Sequence, residues 1–347
     1  MKKYYPSIQA LRGILFLLIL AFHCGVPYAD FGWVGVEAFF VISAFFLVWK
    51  HWETDVSDLK HQFKHRIKRL YPPYIAVLFI AVLYALLVKE IPYDLLSHML
   101  SAQNFQWMIT DYRSAMQPMT AHTWTLSIEV WGGLFWIFLL RVVQKKYFRY
   151  VMYGMILLSI SYRVFTIAGG ADAWIVSLCP IAHFDAFACG SLLAIGAREN
   201  KLQQRAGILG ITGIAGIVAC IARISVNNHI SFVQAYLFLS SSKNYLNNWF
   251  TGNIYIYISL FATGLVGLLC KRDERRAEEP KRVEKLFALL GDNSYTLYLF
   301  HWPVLVVIRR FVGTWAITLP VTLIVSIAAI VIFNKLYFKI QKKLAGG

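Results

Sequence analysis

The sequence predicts an all-α protein that crosses a membrane about ten times with both termini on one side. Three observations carry this: the apolar content, the continuity of the apolar runs and the placement of the charges. Of the 347 residues, 58% are hydrophobic and only 15% charged, against roughly half apolar in a water-soluble domain. The runs are long and continuous, not the ten-residue alternations of a barrel strand, so helices are expected to satisfy the backbone within lipid.

In chain order the spans are expected at about 8–28, 33–50, 72–88, 124–141, 150–168, 174–197, 206–225, 252–270, 293–310 and 315–338. The first follows Met1-Lys2-Lys3, but Arg12 interrupts its apolar run and no small-x-small cleavage site follows, so it is read as a span and not a leader. Phe22-His23 before Cys24 likewise differs from the small residues that precede a lipidated cysteine. Two longer connections on the far side, 89–123 and 226–251, contain Trp107, Tyr112, Phe232 and Trp249 and are expected to lie at the interface or fold into the bundle, where they could form an acceptor mouth. The whole of 1–347 reads as one transmembrane domain, with no internal repeat.

The net charge of +16 does not imply a nucleic-acid partner. Roughly 26 Lys and Arg fall on the side of the termini against about 5 on the other, which the positive-inside rule assigns to the cytoplasm. Five scattered cysteines, without a C-x-x-C pair, suggest neither disulfide nor zinc, and no metal is expected.

Ionisable side chains at membrane depth are costly and mark candidate sites. His23 lies fifteen residues into the first span, about 22 Å along it, in the outer half of the bilayer. Glu37 and Glu129 sit about five residues into helices that start from the outer face, and Arg163 is at similar depth. A histidine, two carboxylates and an arginine can deprotonate a hydroxyl, orient the base and stabilise an oxyanion; a buried ion-pair network is the alternative. His183 and Asp185 read as a polar packing pair, and His301, before Trp302-Pro303, as a structural residue that kinks its helix or bonds across the bundle. On the cytoplasmic side, Lys64-His65-Arg66-Ile67-Lys68-Arg69 forms a cationic patch suited to lipid headgroups. Arg66 and Arg69, three apart, would share a helical face and can grip phosphates.

Several segments together resemble the membrane-bound acyltransferase family 3. Arg12 and His23 resemble its basic-x10-His signature, and Gly35-Val36-Glu37-Ala38-Phe39-Phe40-Val41-Ile42-Ser43 resembles its second span. Arg66-Ile67-Lys68-Arg69-Leu70-Tyr71-Pro72 is similar to its R-x-x-R-x-x-P entry to the third span, and Trp124-Thr125-Leu126-Ser127-Ile128-Glu129 to its W-S-L-S-V-E segment. Phe184-Asp185-Ala186-Phe187 and Ser294-Tyr295-Thr296-Leu297-Tyr298-Leu299-Phe300-His301-Trp302-Pro303 complete the set. Ala44 and Val130 depart from the pattern, the second replacing a second acidic residue found in many members.

The resemblance implies an integral membrane O-acyltransferase of the bacterial inner membrane. It implies a cytoplasmic acyl donor, usually acetyl-CoA, and an acceptor that is an envelope polysaccharide, a lipid-linked sugar or other carbohydrate, or a small metabolite. Transfer by this polypeptide would not use the esterase-like domain fused to some members. Arg12, Arg66 and Arg69 are then expected to hold the phosphates of CoA. His23 is expected to act as general base or acyl carrier, oriented by Glu129 or Glu37. The alternative function is a transporter or flippase for a glycan or its precursor.

Overall fold

The computed structural model describes residues 4–53, 59–92, 94–110, 117–199, 205–241 and 248–345. Pro6, whose missing N–H costs nothing in a first helical turn, opens α1 (Pro6–Cys24). Gly25 closes it at φ 73°, with Gly25 N–H bonded to Phe22 O and Val26 N–H to Ala21 O, a Schellman closure. A 3-10 turn, Asp30–Trp33, leads into α2 (Val34–His51), and α3 (Leu59–Leu87) runs through Pro72 and Pro73. The third span therefore begins well before its apolar run, and the basic Lys64–Arg69 stretch lies on the same helix as the membrane segment.

The connection after α3 folds into short helices α4 (Leu95–Met99), α5 (Gln103–Ile109) and α6 (Gln117–Thr120), then a 3-10 turn, Ala121–Thr123. Residues 111–116 of this connection and 242–247 of the second far-side connection lie outside the described residues. In the first connection His98, Gln103, Asn104 and Trp107 are buried, so its short helices pack into the bundle, while Ile91, Leu96 and Ile109 stay exposed.

Helices α7 (Trp124–Val142) and α8 (Lys145–Ala168) follow. The expected sixth span is broken: α9 (Ala173–Leu178) stops at Cys179, whose extended backbone is what a following proline favours. A 3-10 turn, Pro180–His183, re-enters as α10 (Phe184–Arg198). Then come α11 (Ala206–Asn228), α12 (Phe232–Ser241), α13 (Ile254–Arg275), α14 (Arg282–Asp292), α15 (Ser294–Ile308) and α16 (Trp315–Ala345). Among the described residues nine helices are long and apolar enough to cross a membrane. The expected ninth span is the shorter α15, 15 residues, or about 22 Å. The chain is a multi-pass helical membrane protein.

Among the described residues the two largest apolar cores hold most of the bundle. One joins α2, α7, α8, α10 and α13 around Phe45, Trp136 and Phe187; the other joins α1, α3, α15 and α16 around Phe16, Tyr74 and Phe300. Small residues permit the closest approaches, as expected where lipid offers no hydrophobic drive between helices. A Cβ at Gly190 would strike the backbone of Val41, and one at Gly291 the backbone of Gln9, where α14 crosses α1. The outward faces of α3, α8, α11 and α16 carry exposed Phe79, Phe165, Ile211 and Ile324, the surface a lipid-facing helix requires.

Candidate active site

Where the two cores part, a cavity of about 330 Å³ opens between α1, α2, α3, α7 and α15, at the end of the bundle that holds the N-terminus. Its mouth is lined by Lys50, His51 and His65 and its walls by Phe39, Phe40, Phe46 and Leu47. Arg12, Arg66 and Arg69 all face it, so the helical spacing of the last two does place both on one side.

The three arginines differ in what holds them. Arg66 Nη2 donates to Glu129 Oε1 and to the Glu129 backbone carbonyl, both at 2.7 Å, and Ser43 Oγ donates to the same carboxylate oxygen at 2.6 Å. The guanidinium lies against Gly133, one helical turn beyond Glu129, where a side chain would collide with it. Arg12 donates only to neutral groups, Gln9 Oε1 and Ser294 Oγ, each at 3.0 Å. Arg69 makes no hydrogen bond or ion pair among the described residues and presents its charge to the cavity. Among the described residues three arginines thus face the one carboxylate that lines the cavity, Glu129, and Arg12 and Arg69 form no ion pair with it.

The inner end of the cavity is closed by Thr125 and Tyr298. Thr125 Oγ1 donates to Tyr298 Oη at 3.1 Å, and Tyr298 Oη donates to His122 O at 3.0 Å. Directly behind this pair stand three histidines. The Tyr298 and His301 rings lie 5.3 Å apart, and the His122 and His301 rings 5.6 Å apart. His23 Nδ1 is 2.9 Å from His301 Nε2, the two rings within 9° of parallel, and the Trp302 edge packs on His23 at 4.7 Å.

The local chain explains the arrangement. Pro303 has no N–H, so Leu299 O loses its intrahelical donor, and His122 Nε2 supplies one at 3.1 Å. His301 Nδ1 reaches the Tyr298 carbonyl of its own helix. Arg309 donates to the His23 carbonyl, one of the acceptors left open at the C-terminus of α1, and so anchors that helical turn. His301 is therefore a cross-bundle partner of His23, the second of the two roles expected of it. His122 had no sequence signal beyond its place before Trp124; only the proline on another helix would have pointed to it.

Neither carboxylate expected to orient His23 reaches it. Glu129 is committed to Arg66. Glu37, 2% exposed, lies 2.8 Å from His183 Nδ1, while His183 Nε2 donates to Ser177 O at 2.8 Å. Nor do His183 and Asp185 pair with each other. Asp185 accepts from Arg163 Nη2 at 2.6 Å, and Arg163, 1% exposed, also donates to Asn253, Ser159 and the Ala182 carbonyl. Equal depth was legible from helical rise, but the direction each side chain faces is set by packing. His23, Glu129, Glu37 and Arg163 accordingly fall into three clusters, the last two sharing one because His183 and Arg163 both pack on the Tyr255 ring. Among the described residues no group of three His, Cys, Asp or Glu is arranged to hold a metal ion. The three clustered rings bond to one another and to carbonyls and do not converge on a point.

Comparison with known proteins adds the following. A family model described as an acyltransferase domain matches residues 5–334. The peptidoglycan O-acetyltransferase OatA of Listeria monocytogenes is 22% identical over 328 residues, 88% of this chain and 50% of that one. A provisionally named O-acetyltransferase of Staphylococcus aureus strain COL is 22% identical over 360 residues, 97% of this chain and 56% of that one. The O-acetyltransferase OatA of Staphylococcus aureus strain NCTC 8325 is 28% identical over 141 residues, 37% of this chain and 23% of that one. The chain thus spans about half the length, or less, of these relatives. No solved structure matches.

Proposed function

The chain belongs to the family of proteins built on the acyltransferase domain, and we propose that it moves an acetyl group from acetyl-CoA to a hydroxyl of an envelope polysaccharide, a lipid-linked sugar or another carbohydrate. In this reading residues 1–347 act as one transmembrane acyltransferase domain in the inner membrane of a bacterium. The excess of Lys and Arg at the end that holds the termini makes that end cytoplasmic. The cavity mouth then opens to the cytoplasm.

The observation that carries the proposal is the cavity with its three guanidinium groups, two of them outside any ion pair among the described residues, which ends one ring short of the histidine cluster. Cations gathered at the mouth of a membrane bundle with too few carboxylates to pair them favour a polyanionic ligand. Arg12, Arg66 and Arg69 suit phosphates, and the aromatic and aliphatic walls suit a thin apolar arm. The volume lies at the lower end of the range for small-ligand sites. From Arg12 to His23 is eleven residues along α1, or about 16 Å, so phosphates held at the arginines leave the acyl group to be delivered past Tyr298.

His23 performs the chemistry in this account. As general base it takes the proton of the acceptor hydroxyl while the oxygen attacks the thioester carbon; the C–S bond breaks, and the leaving thiolate recovers the proton from His23. As acyl carrier it attacks the thioester itself and passes the acyl group on, which ping-pong kinetics would reveal. Glu129 holds Arg66 in its cavity-facing position, and Glu37 acts at a distance by fixing His183 between α2 and α10. The relatives' names support the acetyl group and a glycan acceptor.

The test is the alkali-labile acetyl content of envelope glycans in cells that express the wild-type protein or His23→Ala at matched membrane levels. Ester present with the wild type and absent with the variant is the expected result. Equal ester with and without the protein contradicts the reading. A glycan flippase would move an unmodified substrate and release no free CoA, so thiol release separates the two.

A further inference from the structure

His301 sits behind His23 where an acyl-transfer triad places a carboxylate. Its two nitrogens have different neighbours. Nδ1 faces the Tyr298 carbonyl, which can only accept, so Nδ1 carries a proton. The ring is fully buried, in contact with Phe16, Tyr298 and Trp302 and with no acidic side chain, so the uncharged state is the one that burial favours. An uncharged ring protonated at Nδ1 has a bare Nε2. That Nε2 is the atom 2.9 Å from His23 Nδ1, so His23 must donate, and its own proton sits on Nδ1.

We infer that His301 is a positioning residue that fixes the tautomer of His23, leaving His23 Nε2 as the reactive lone pair. The inference rests on the reading that His23 performs the transfer. The chain of constraints runs from a backbone carbonyl of α15 through His301 to His23, with Arg309 holding the carbonyl of His23 and Trp302 its ring edge. It accounts for two features at once: neither Glu37 nor Glu129 touches His23, and the two imidazole rings are parallel and hydrogen-bonded.

In the transfer step His23 Nε2 takes the hydroxyl proton as the C–O bond forms and the C–S bond breaks. The resulting imidazolium keeps its Nδ1–H on His301 Nε2, and the Nε2 proton then passes to the departing thiolate. His301 gains and loses no proton. It supplies a preset acceptor for the charge that forms on His23, the service a carboxylate performs in a triad. A neutral acceptor does this with weaker electrostatic stabilisation but without placing a buried anion in the bundle.

Two substitutions separate this role from packing. His301→Gln keeps an acceptor oxygen that can reach the position of Nε2; His301→Leu fills the space without one. In proteoliposomes with acetyl-CoA and a carbohydrate acceptor, His301→Leu is expected to lower kcat about 10²–10⁴-fold, the range of general-base contributions, with the KM for acetyl-CoA unchanged. His301→Gln is expected to recover at least a tenth of the wild-type kcat. Equal loss in both variants, or wild-type kcat in His301→Leu, overturns the inference. Nitrogen-15 NMR of the histidine-labelled wild-type protein, assigned with His23→Ala, needs no active variant: the unprotonated nitrogen of His23 is expected to be Nε2, and finding it at Nδ1 overturns the inference. If His23→Ala retains full activity, the reading of His23 fails, and the NMR result on the tautomer still stands by itself.

Discussion

Arg69→Ala is expected to damage donor binding while leaving the fold intact. The guanidinium has no hydrogen bond or ion pair to lose among the described residues, and Glu129 keeps Arg66, so its removal leaves no carboxylate without its ion partner. Stability should therefore change by no more than about 0.5 kcal/mol, as for substitutions away from any packed feature. Its charge-assisted bond to a donor phosphate is worth about 1.5–3 kcal/mol, so the KM for acetyl-CoA should rise about 10- to 150-fold with kcat nearly constant. Arg66→Ala is the internal contrast. It strips Glu129 of its ion partner, leaving Ser43, and the carboxylate is 20% exposed, so stability should fall by about 1–3 kcal/mol alongside the rise in KM. Thermal melting in detergent and steady-state kinetics in proteoliposomes read both quantities. An Arg69→Ala protein that melts early, with an unchanged KM, would refute the assignment of the free guanidinium to the donor.

Other consequences follow from the packing. Arg163→Ala should destabilise the protein by about 3–5 kcal/mol, because it leaves Asp185 buried without its partner, and Arg163→Met with Asp185→Leu should recover part of that in denaturant unfolding. Gly291→Val should cost about 1–3 kcal/mol in the same assay, since the new side chain meets the Gln9 backbone where α14 crosses α1. Glu284, on α14 outside the membrane spans, is raised by burial, but hydrogen bonds from Arg276 and Ser7 and the charge of Arg276 outweigh this and hold it below the usual carboxylate range. A depressed carboxylate contributes stability that is present above its unfolded value and lost as pH falls through its folded one. The melting difference between wild type and Glu284→Gln should therefore be full near neutral pH and vanish in acid.

Hydropathy made the spans legible because lipid forces long apolar helices, and among the described residues nine are long and apolar enough to cross, the sixth of them broken at Cys179–Pro180. The exception, α15, ends at Ile308, and Arg309 just beyond it reaches back to the carbonyl of His23. Arg12, Arg66 and Arg69 were legible as a group because their positions on two helices place them at one end, and they do share a cavity. The partners of His23 were not. Counting residues gives depth along a helix, whereas the direction of Glu37 and Glu129 depends on how α2 and α7 are rotated, and that is decided by the apolar faces they bury. His122 was hidden for a different reason: its partner is a carbonyl released by Pro303, 181 positions away in sequence, and no periodicity reports such a pairing.

The most direct test of the whole account is free-thiol release from acetyl-CoA by the reconstituted protein, measured together with acetyl ester formed on a carbohydrate acceptor supplied on the opposite face of the vesicle. The account expects one thiol per ester in the wild type and neither above background in His23→Ala. Ester formation that survives in His23→Ala, or a substrate moved across the bilayer unmodified and without thiol release, would contradict it.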